Sequence, residues 1–479
     1  MNGPSSAREL TGREDGPEGD FSRPGLRRAI TLRRLRKIGL TIALLSGLAG
    51  STVNTRAQTT NQSAEPASEH KLSLAQAKQI AFERNWDLLA AKSGIDGATA
   101  QLIVAKEFPN PSLSWSTARI GTHDSSTATG NDLWNRNYDT IVQVNQLIEI
   151  AGKRHDRQMA GRAGVAGARA RFFDMKRTLD QGVTKAYLAA LLAGENVRIL
   201  NESSGYMLHE ADIAGARFKA GDLSDSDKKQ IEINAEQFEL QAKAAEATAT
   251  QARISVEILL GISKPTGDWM PTDSLDQLVP ATTPASEAKA TGARPDVLAA
   301  EADLQGGQAQ LKLQKAERVP DPTFSFGVEH NPPGGGPGIG PDVNTVIAGF
   351  SLPLPLWNLN GGNIKAAQAT VDQFQVALGK LKAQAQADIA NAESSYQEAR
   401  TRWLRYRDIT GPKSKQVRES VAFAYNKGGA SLVDFLNAEQ TDNTIRLALA
   451  QAISDTASTA ADLAAARATL AQSELRAAK

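Results

Sequence analysis

The sequence predicts a mainly α-helical fold with a small β part, made of two similar halves. Three observations predict it. The chain is written twice, each copy holds a pair of short alternating segments, and each copy then runs into a helical pattern far longer than a globular domain needs. Around Pro109 the chain reads Phe-Pro-Asn-Pro-Ser-Leu-Ser-Trp, and around Pro320 it reads Val-Pro-Asp-Pro-Thr-Phe-Ser-Phe. Asp87-Leu-Leu-Ala-Ala matches Asp296-Val-Leu-Ala-Ala, and Ala100-Gln-Leu matches Ala309-Gln-Leu. Further on, Arg217-Phe-Lys-Ala-Gly-Asp-Leu-Ser-Asp-Ser-Asp227 matches Ala424-Tyr-Asn-Lys-Gly-Gly-Ala-Ser-Leu-Val-Asp434. The offset stays between 207 and 211 residues. That period is too long for a solenoid and is the mark of one structural module used twice.

The chain opens on a targeting segment. Seven basic and no acidic residues lie between Phe21 and Lys37, an apolar stretch follows from Ile38 to Val53, and Thr55-Arg56-Ala57 supplies small residues for cleavage. This is the order of a secretory signal peptide. The competing reading is a membrane anchor, for which about 16 apolar residues fall short of a ~20-residue span. The leader before Arg23 is long, which places the expected start codon further downstream. Residues 1–57 are therefore expected to be leader and signal peptide, and 58–70 a linker.

The first repeat is expected over 71–280. A helical pattern runs from Leu74 to Glu107 and stops at Phe108-Pro-Asn-Pro, because proline lacks the N–H and pushes its predecessor to extended geometry. A hairpin follows over 112–149. Leu113 and Trp115 alternate with serines, then Val142 and Val144 alternate with Gln143 and Asn145, the period of a strand. No proline occurs between Ser112 and Lys264, and long helices are expected over 151–260. The first of them, roughly 66 residues, would be about 100 Å long at ~1.5 Å per residue. The second repeat, 286–475, holds a helix, a hairpin over 322–354 and long helices over 363–475. Its first strand sets Phe324, Phe326 and Val328 against Ser325, Gly327 and Glu329. Helix–helix turns are placed at Gly221 in the first repeat and at Gly428 and Gly429 in the second. Gly411-Pro412 then falls inside a helix, where the first repeat has Ser204 and Gly205.

Strands of 9 to 12 residues match a tilted crossing of a bilayer. No run after the leader reaches 18 apolar residues, so a membrane segment would have to be a β-barrel. Four strands are too few to close one, which calls for an oligomer. The remaining bulk properties exclude more than they assign. A net charge of +1 gives no electrostatic case for nucleic acid. The absence of cysteine excludes disulfides, thiolate metal sites and a lipidated N-terminal Cys. The five histidines are scattered, with no pair at metal-ligand spacing.

Taken together, the ordered duplication, the two Pro-x-Pro strand entries and the two glycine-centred turns resemble the TolC-like outer-membrane efflux proteins, over residues 71–475. Arg217-Phe-x-x-Gly-Asp, Ala424-Tyr-x-x-Gly-Gly and the downstream Leu436-Asn-Ala-Glu-Gln look most like the CzcC-type components of cation-efflux systems. The resemblance implies a homotrimer in which three chains of four strands close a transmembrane β-barrel in the outer membrane and twelve helical strands continue it as an α-barrel through the periplasm. A periplasmic adaptor and an inner-membrane pump are the implied partners. Such a duct is not an enzyme and carries no cofactor or metal.

The resemblance also places a gate at the helix turns, where family members carry acidic residues. The matching positions are Asp227 and Asp434, with Asp222 and Asp225 in the first turn and Tyr425 as a latching aromatic. A second family acid, three residues after Asp434, is Asn437 here. A ring of like carboxylates would attract cations and repel itself. Each Asp also has an ordinary reading as a helix cap or a solvated charge. Trp115, Tyr138, Phe324, Phe326 and Phe350 are candidates for a lipid face or interfacial girdle, with hairpin packing as the alternative. Two other functions compete: an exit duct for secreted proteins on the same fold, and a periplasmic helical adaptor or scaffold.

Overall fold

The computed structural model describes residues 70–118, 139–280, 294–331 and 343–467, all in the unit that runs from Pro66 to Lys479. The expected signal peptide, the linker to Glu69, most of both hairpin loops and Tyr138 lie outside the described residues.

The long element α3 (Lys153–Ala220) is a single helix of 68 residues. It starts at Gly152 and ends at Gly221, both in the left-handed region. α2 (Trp86–Lys106) packs along its first half. α4 (Asp225–Leu259) returns along its second half. Small residues allow the approach: a Cβ on Gly161 would meet Leu102 and Ala105 of α2. The second repeat lays down α6 (Pro295–Ala316), α7 (Gly361–Arg405), α8 (Gly411–Asn426) and α9 (Leu432–Arg467). α6 packs on both α3 and α7, and α9 packs on α3, α7 and α8. The two repeats therefore share one helical layer.

The helical pattern from Leu74 to Glu107 is interrupted. Asn85 ends α1 (Leu74–Arg84) and caps α2, its side chain accepting from Leu88 N–H at 3.0 Å and donating to the Leu259 carbonyl at 3.0 Å. Beside this break sits a small cluster that the sequence reading lacked. β1 (His70–Leu72) pairs in parallel with β4 (Trp269–Pro271), followed by the short helix α5 (Leu275–Leu278). Tyr187, midway along α3, is fully buried there against Trp269. Its hydroxyl hydrogen-bonds to Leu72 O and Asp273 Oδ2, each at 2.8 Å, which ties the chain start to the helix layer.

Four strands form one antiparallel sheet in the order β2 (Ser112–Ala118), β3 (Asp139–Leu147), β5 (Thr323–Asn331), β6 (Val343–Ser351). β3 and β5 join the repeats, and β2 and β6 are the edges. The register sets Trp115 opposite Val142, Val142 opposite Val328, and Val328 opposite Val346. One face is therefore mainly apolar, with Leu113, Val144, Phe324, Phe326 and Phe350 added to these; Gln146 opposite Phe324 interrupts it, and Thr140, His330 and Asn344 end it in a polar row. The other carries Ser112, Ser114, Gln143, Asn145, Ser325 and Glu329. The expected strand to Leu354 stops at Ser351, because Pro353 and Pro355 have no N–H to pair. The sheet meets the helices through a pinned junction. Ile148 N–H donates to Pro322 O at 3.0 Å, Ile150 N–H to Asp321 at 2.9 Å, and buried Lys153 pairs with Asp321 at 2.8 Å.

Gly327 lies on the seam between repeats. A Cβ there would overlap the Val142 carbonyl and stand 2.7 Å from Gln143 Cα, whereas one on Gly349 would meet only the Ser325 side chain, at 3.4 Å. Gly327→Ala should cost about 1–3 kcal/mol by overpacking and lower the yield of heat-resistant oligomer on gels. Gly349→Ala should leave that yield near wild type.

Candidate functional site

Two helix turns lie at the same end of the layer. In the first, Gly221 has φ +85°. The Gly221 and Asp222 N–H groups close the α3 terminus on Phe218 O and Arg217 O at 3.0 and 2.9 Å, a glycine C-cap of ordinary type. Ser224 then caps α4, accepting from Asp227 N–H at 3.0 Å. Asp225 pairs with Lys229 at 2.6 Å, both well exposed. The Asp222 and Asp225 carboxylates thus differ: one stands in the turn, the other is matched by a lysine one helical turn on.

In the second turn Gly428 has φ +77° and Gly429 N–H donates to Ala424 O at 2.8 Å. Ser431 and Asp434 form a reciprocal cap. Asp434 N–H donates to Ser431 Oγ at 3.1 Å, while Asp434 Oδ2 accepts from Ser431 Oγ at 2.7 Å and Ser431 N–H at 3.3 Å. Asp434 therefore holds the start of α9 as well as carrying a charge.

The turns touch through Tyr425. Its ring stacks on Phe435 with centroids 4.8 Å apart, and the Arg217 guanidinium of the first repeat lies 5.7 Å from its centre. Burial pushes the Tyr425 hydroxyl up from the ordinary tyrosine range; the charge of Arg217 opposes this, and Asp227 and Glu210 add to it. Arg217, Asp227 and Tyr425 thus form one electrostatic group across the repeats. Asp434 faces elsewhere. With Asn437 it lines an open groove of about 660 Å³ that Arg405, Ile409, Thr410 and Val417 complete.

That groove runs beside an irregularity. Tyr406–Thr410 is a π-turn between α7 and α8, and Gly411 N–H donates to Tyr406 O, five residues back. Pro412 explains it: a proline ring collides with the carbonyl four residues before it in an α-helix, and widening the turn relieves the collision. α3 remains regular at Ser204 and Gly205.

One cluster escaped the sequence reading. Phe435, Ala438, Glu439, Asp442 and Asn443 are all buried, a spacing of three and four that marks one helix face. Leu436-Asn-Ala-Glu-Gln was legible as a motif, but no local signal marked Glu439 or Asp442 as buried. Glu439 is 8% exposed, and among the described residues its Oε1 has no hydrogen-bond partner. Around it stand Glu210 and Tyr206 of α3, Arg418 of α8, and Asp442 and Arg446 of α9. Asp442 pairs with Arg418 at 3.4 Å and accepts from Ser414 at 2.8 Å. Burial pushes the Glu439 carboxyl up to about 7; Arg418 and Arg446 oppose the shift, and Asp442 and Glu210 reinforce it. Among the described residues no group of three His, Cys, Asp or Glu is placed to hold a metal ion, and no helix is long and apolar enough to cross a membrane.

Comparison with known proteins gives a consistent answer. The family model described as "Outer membrane efflux protein" matches residues 77–262 and 288–469. The cobalt-zinc-cadmium resistance protein CzcC of Cupriavidus metallidurans is 24% identical over 372 residues, covering 77% of this chain and 84% of that protein. The nickel-cobalt-cadmium resistance protein NccC of Alcaligenes xylosoxydans xylosoxydans is 25% identical over 321 residues, covering 64% and 66%. The crystal structure of the Campylobacter jejuni CmeC outer membrane channel superposes with a TM-score of 0.69 at 18% identity, covering 82% of this chain and 85% of that one.

A raised carboxyl pKa means the folded state holds a proton that the unfolded chain has released. Stability from neutral Glu439 is complete below about pH 4.5, is lost as pH rises toward about 7, and is absent above it. Glu439→Gln should therefore stabilise the protein by about 1–3 kcal/mol above pH 7 and flatten the fall in melting temperature between pH 5 and 7. An unchanged melting profile would contradict this account of the cluster.

Proposed function

The chain belongs to the outer membrane efflux protein family, and we propose that it is the exit duct of a tripartite system that expels divalent metal cations. Members of the family are passive channels and not enzymes. The observation that carries the reading for this chain is the sheet. One face is mainly apolar across all four strands, interrupted by Gln146 and closed by a polar row of Thr140, His330 and Asn344; the other is mainly polar, and among the described residues both edges are open. A sheet with these faces satisfies its edges in lipid only by pairing with further copies around a polar lumen.

In the proposed assembly three chains supply twelve strands and continue as a helical tunnel into the periplasm. Export of the chain relies on the segment before Ala57, and an adaptor and an inner-membrane pump engage the helical end. Trp115, Phe324, Phe326 and Phe350, which share the apolar face, would meet lipid. The cation assignment rests on the names of CzcC and NccC, which state resistance to cobalt, cadmium, zinc and nickel. Deleting the gene should sensitise cells to cobalt, zinc and cadmium, with growth on organic toxicants unchanged. The opposite pattern would reassign the cargo.

The resting constriction is proposed at the two turns. Asp434, present once per protomer, faces the groove beside the π-turn, and the Arg217–Tyr425–Asp227 group fastens the two hairpins to each other. Because Asp434 also caps α9, charge and cap must be separated. Asp434 is the N3 partner of Ser431, where an amide oxygen can accept the same two bonds as a carboxylate, so Asp434→Asn removes the charge and keeps the acceptor. Both Asp434→Asn and Asp434→Ala should change resting single-channel conductance in planar bilayers and weaken cation selectivity. An Asn variant identical to wild type would reduce Asp434 to a helix cap.

A further inference from the structure

The apolar face of the sheet does not end with its hydrogen bonds. Beyond Ser351 the chain reads Leu352-Pro-Leu-Pro-Leu-Trp357 before α7 begins. Residues before proline are held extended, so Leu352 and Leu354 keep the two-residue alternation of Val346, Ala348 and Phe350. Leu356 N–H then donates to Leu354 O at 2.9 Å, a tight turn about Pro355 that swings the chain along the rim of the sheet. Leu354, Leu356 and Trp357 stand 68%, 67% and 93% exposed. The segment is nonetheless held. Arg318 Nε donates to Leu359 O at 3.2 Å, and Asn360 Nδ2 donates to Gln314 O at 2.8 Å.

The first repeat indicates what covers this surface. Ile148 and Ile150 follow β3 as Leu352 and Leu354 follow β6, and they share the parity of Val142 and Val144. Their neighbour, the β5 entry, is already in place through the Pro322 and Asp321 contacts. Even so, Ile148 and Ile150 remain 46% and 37% exposed. A neighbouring strand pairs with backbone at the edge and leaves the outward side chains uncovered. The same outward surface on Leu352 and Leu354 would stay open when a second copy pairs with β6. Indole and leucine side chains at the end of an apolar strand face have the chemistry of the lipid headgroup boundary.

We propose that Ile148, Ile150, Leu352, Leu354, Leu356 and Trp357 form an apolar collar that seats the tunnel-side rim of the barrel in the phospholipid leaflet facing the periplasm. This rests on the reading of the apolar sheet face as membrane-facing. The second repeat supplies most of the grip, because Leu356 and Trp357 have no counterparts after Ile150, where Ala151 and Gly152 lead directly into α3. The collar adds to the hold of the apolar sheet face at the level where barrel becomes tunnel.

The absence of cysteine makes the test direct, since any introduced thiol is unique. The full-length protein carrying Leu354→Cys, Leu356→Cys or Trp357→Cys is spin-labelled and reconstituted into phosphatidylcholine vesicles, with heat-resistant oligomer confirming assembly. Collision rates with oxygen and with a water-soluble nickel chelate report the surroundings. The expected result is an oxygen-to-nickel ratio several-fold above that at Asp222→Cys, a site in the exposed turn. A ratio equal to that at Asp222→Cys places the segment in water and overturns the collar. Low rates for both reagents place it under a neighbouring copy and also overturn it. Phe326→Cys separates the collar from its premise. Lipid-like collisions there with aqueous ones at 354 and 356 refute the collar alone, and aqueous collisions at 326 refute the membrane face itself. Should one collar variant fail to assemble, the other two decide.

Discussion

Two strand edges that have no partner among the described residues govern this molecule. β2 and β6 each present a row of backbone N–H and C=O groups that β3 and β5 do not reach, and in hydrocarbon each such group left alone costs several kcal/mol. No rearrangement within four strands can remove two edges. The chain must therefore find its own edges on other copies, and the remaining architecture follows. The strands enter and leave on the same side, so the helices hang from one rim. α3 must be long because it belongs to a wall and not to a globule. Its packing leans on glycine and alanine because the wall is one helix thick.

Joining the repeats is a second requirement, and it is met at three levels. At the rim, Lys153, Asp321 and the Pro322 carbonyl lock the first hairpin to the second. Midway, Asp462 of α9 accepts from Gln181 at 2.7 Å and from Lys185 at 3.0 Å, both on α3. Near the turns, Tyr425 meets Arg217, and Glu439 faces Glu210 across a buried boundary. The first two levels are dominated by satisfied hydrogen bonds. The third is electrostatic and incompletely paired. Of the three levels, the one near the turns is therefore the one whose pairing depends on pH.

The sequence exposed the parts of this design that are periodic and hid those that depend on partners far along the chain. The Pro-Asn-Pro and Pro-Asp-Pro entries, the alternation around Trp115 and Phe326, and the glycines at 221 and 428 are local signals, and the elements they mark are present. Asn85 carried a local signal that went unread, a cap three residues before Leu88; only its bond to the carbonyl of Leu259, 174 residues away, lay beyond local pattern. The β1–β4 ladder was unreadable, since three residues carry no detectable alternation. The gate candidates were legible as residues and not as geometry. The reciprocal bonding of Asp434 to Ser431 followed the capping pattern, whereas the burial of Glu439 required knowing that α3 and α8 both close over α9. Lys229, four residues after Asp225, was visible as a helical ion pair and went unweighed.

The π-turn at Tyr406–Thr410 divides the labour between the two arms of each protomer. The left-handed caps at Gly152 and Gly221 are 69 residues apart, and those at Asn360 and Gly428 are 68 apart. The arms are thus almost equal in residues but unequal as columns. The first is an unbroken rod. The second has one turn in which the hydrogen bonds reach a residue too far, so its bending stiffness falls just above its foot. Columns of matched height and different stiffness do not buckle together under a common axial push: the compliant one yields first and sideways, while the rigid one keeps the height of the wall.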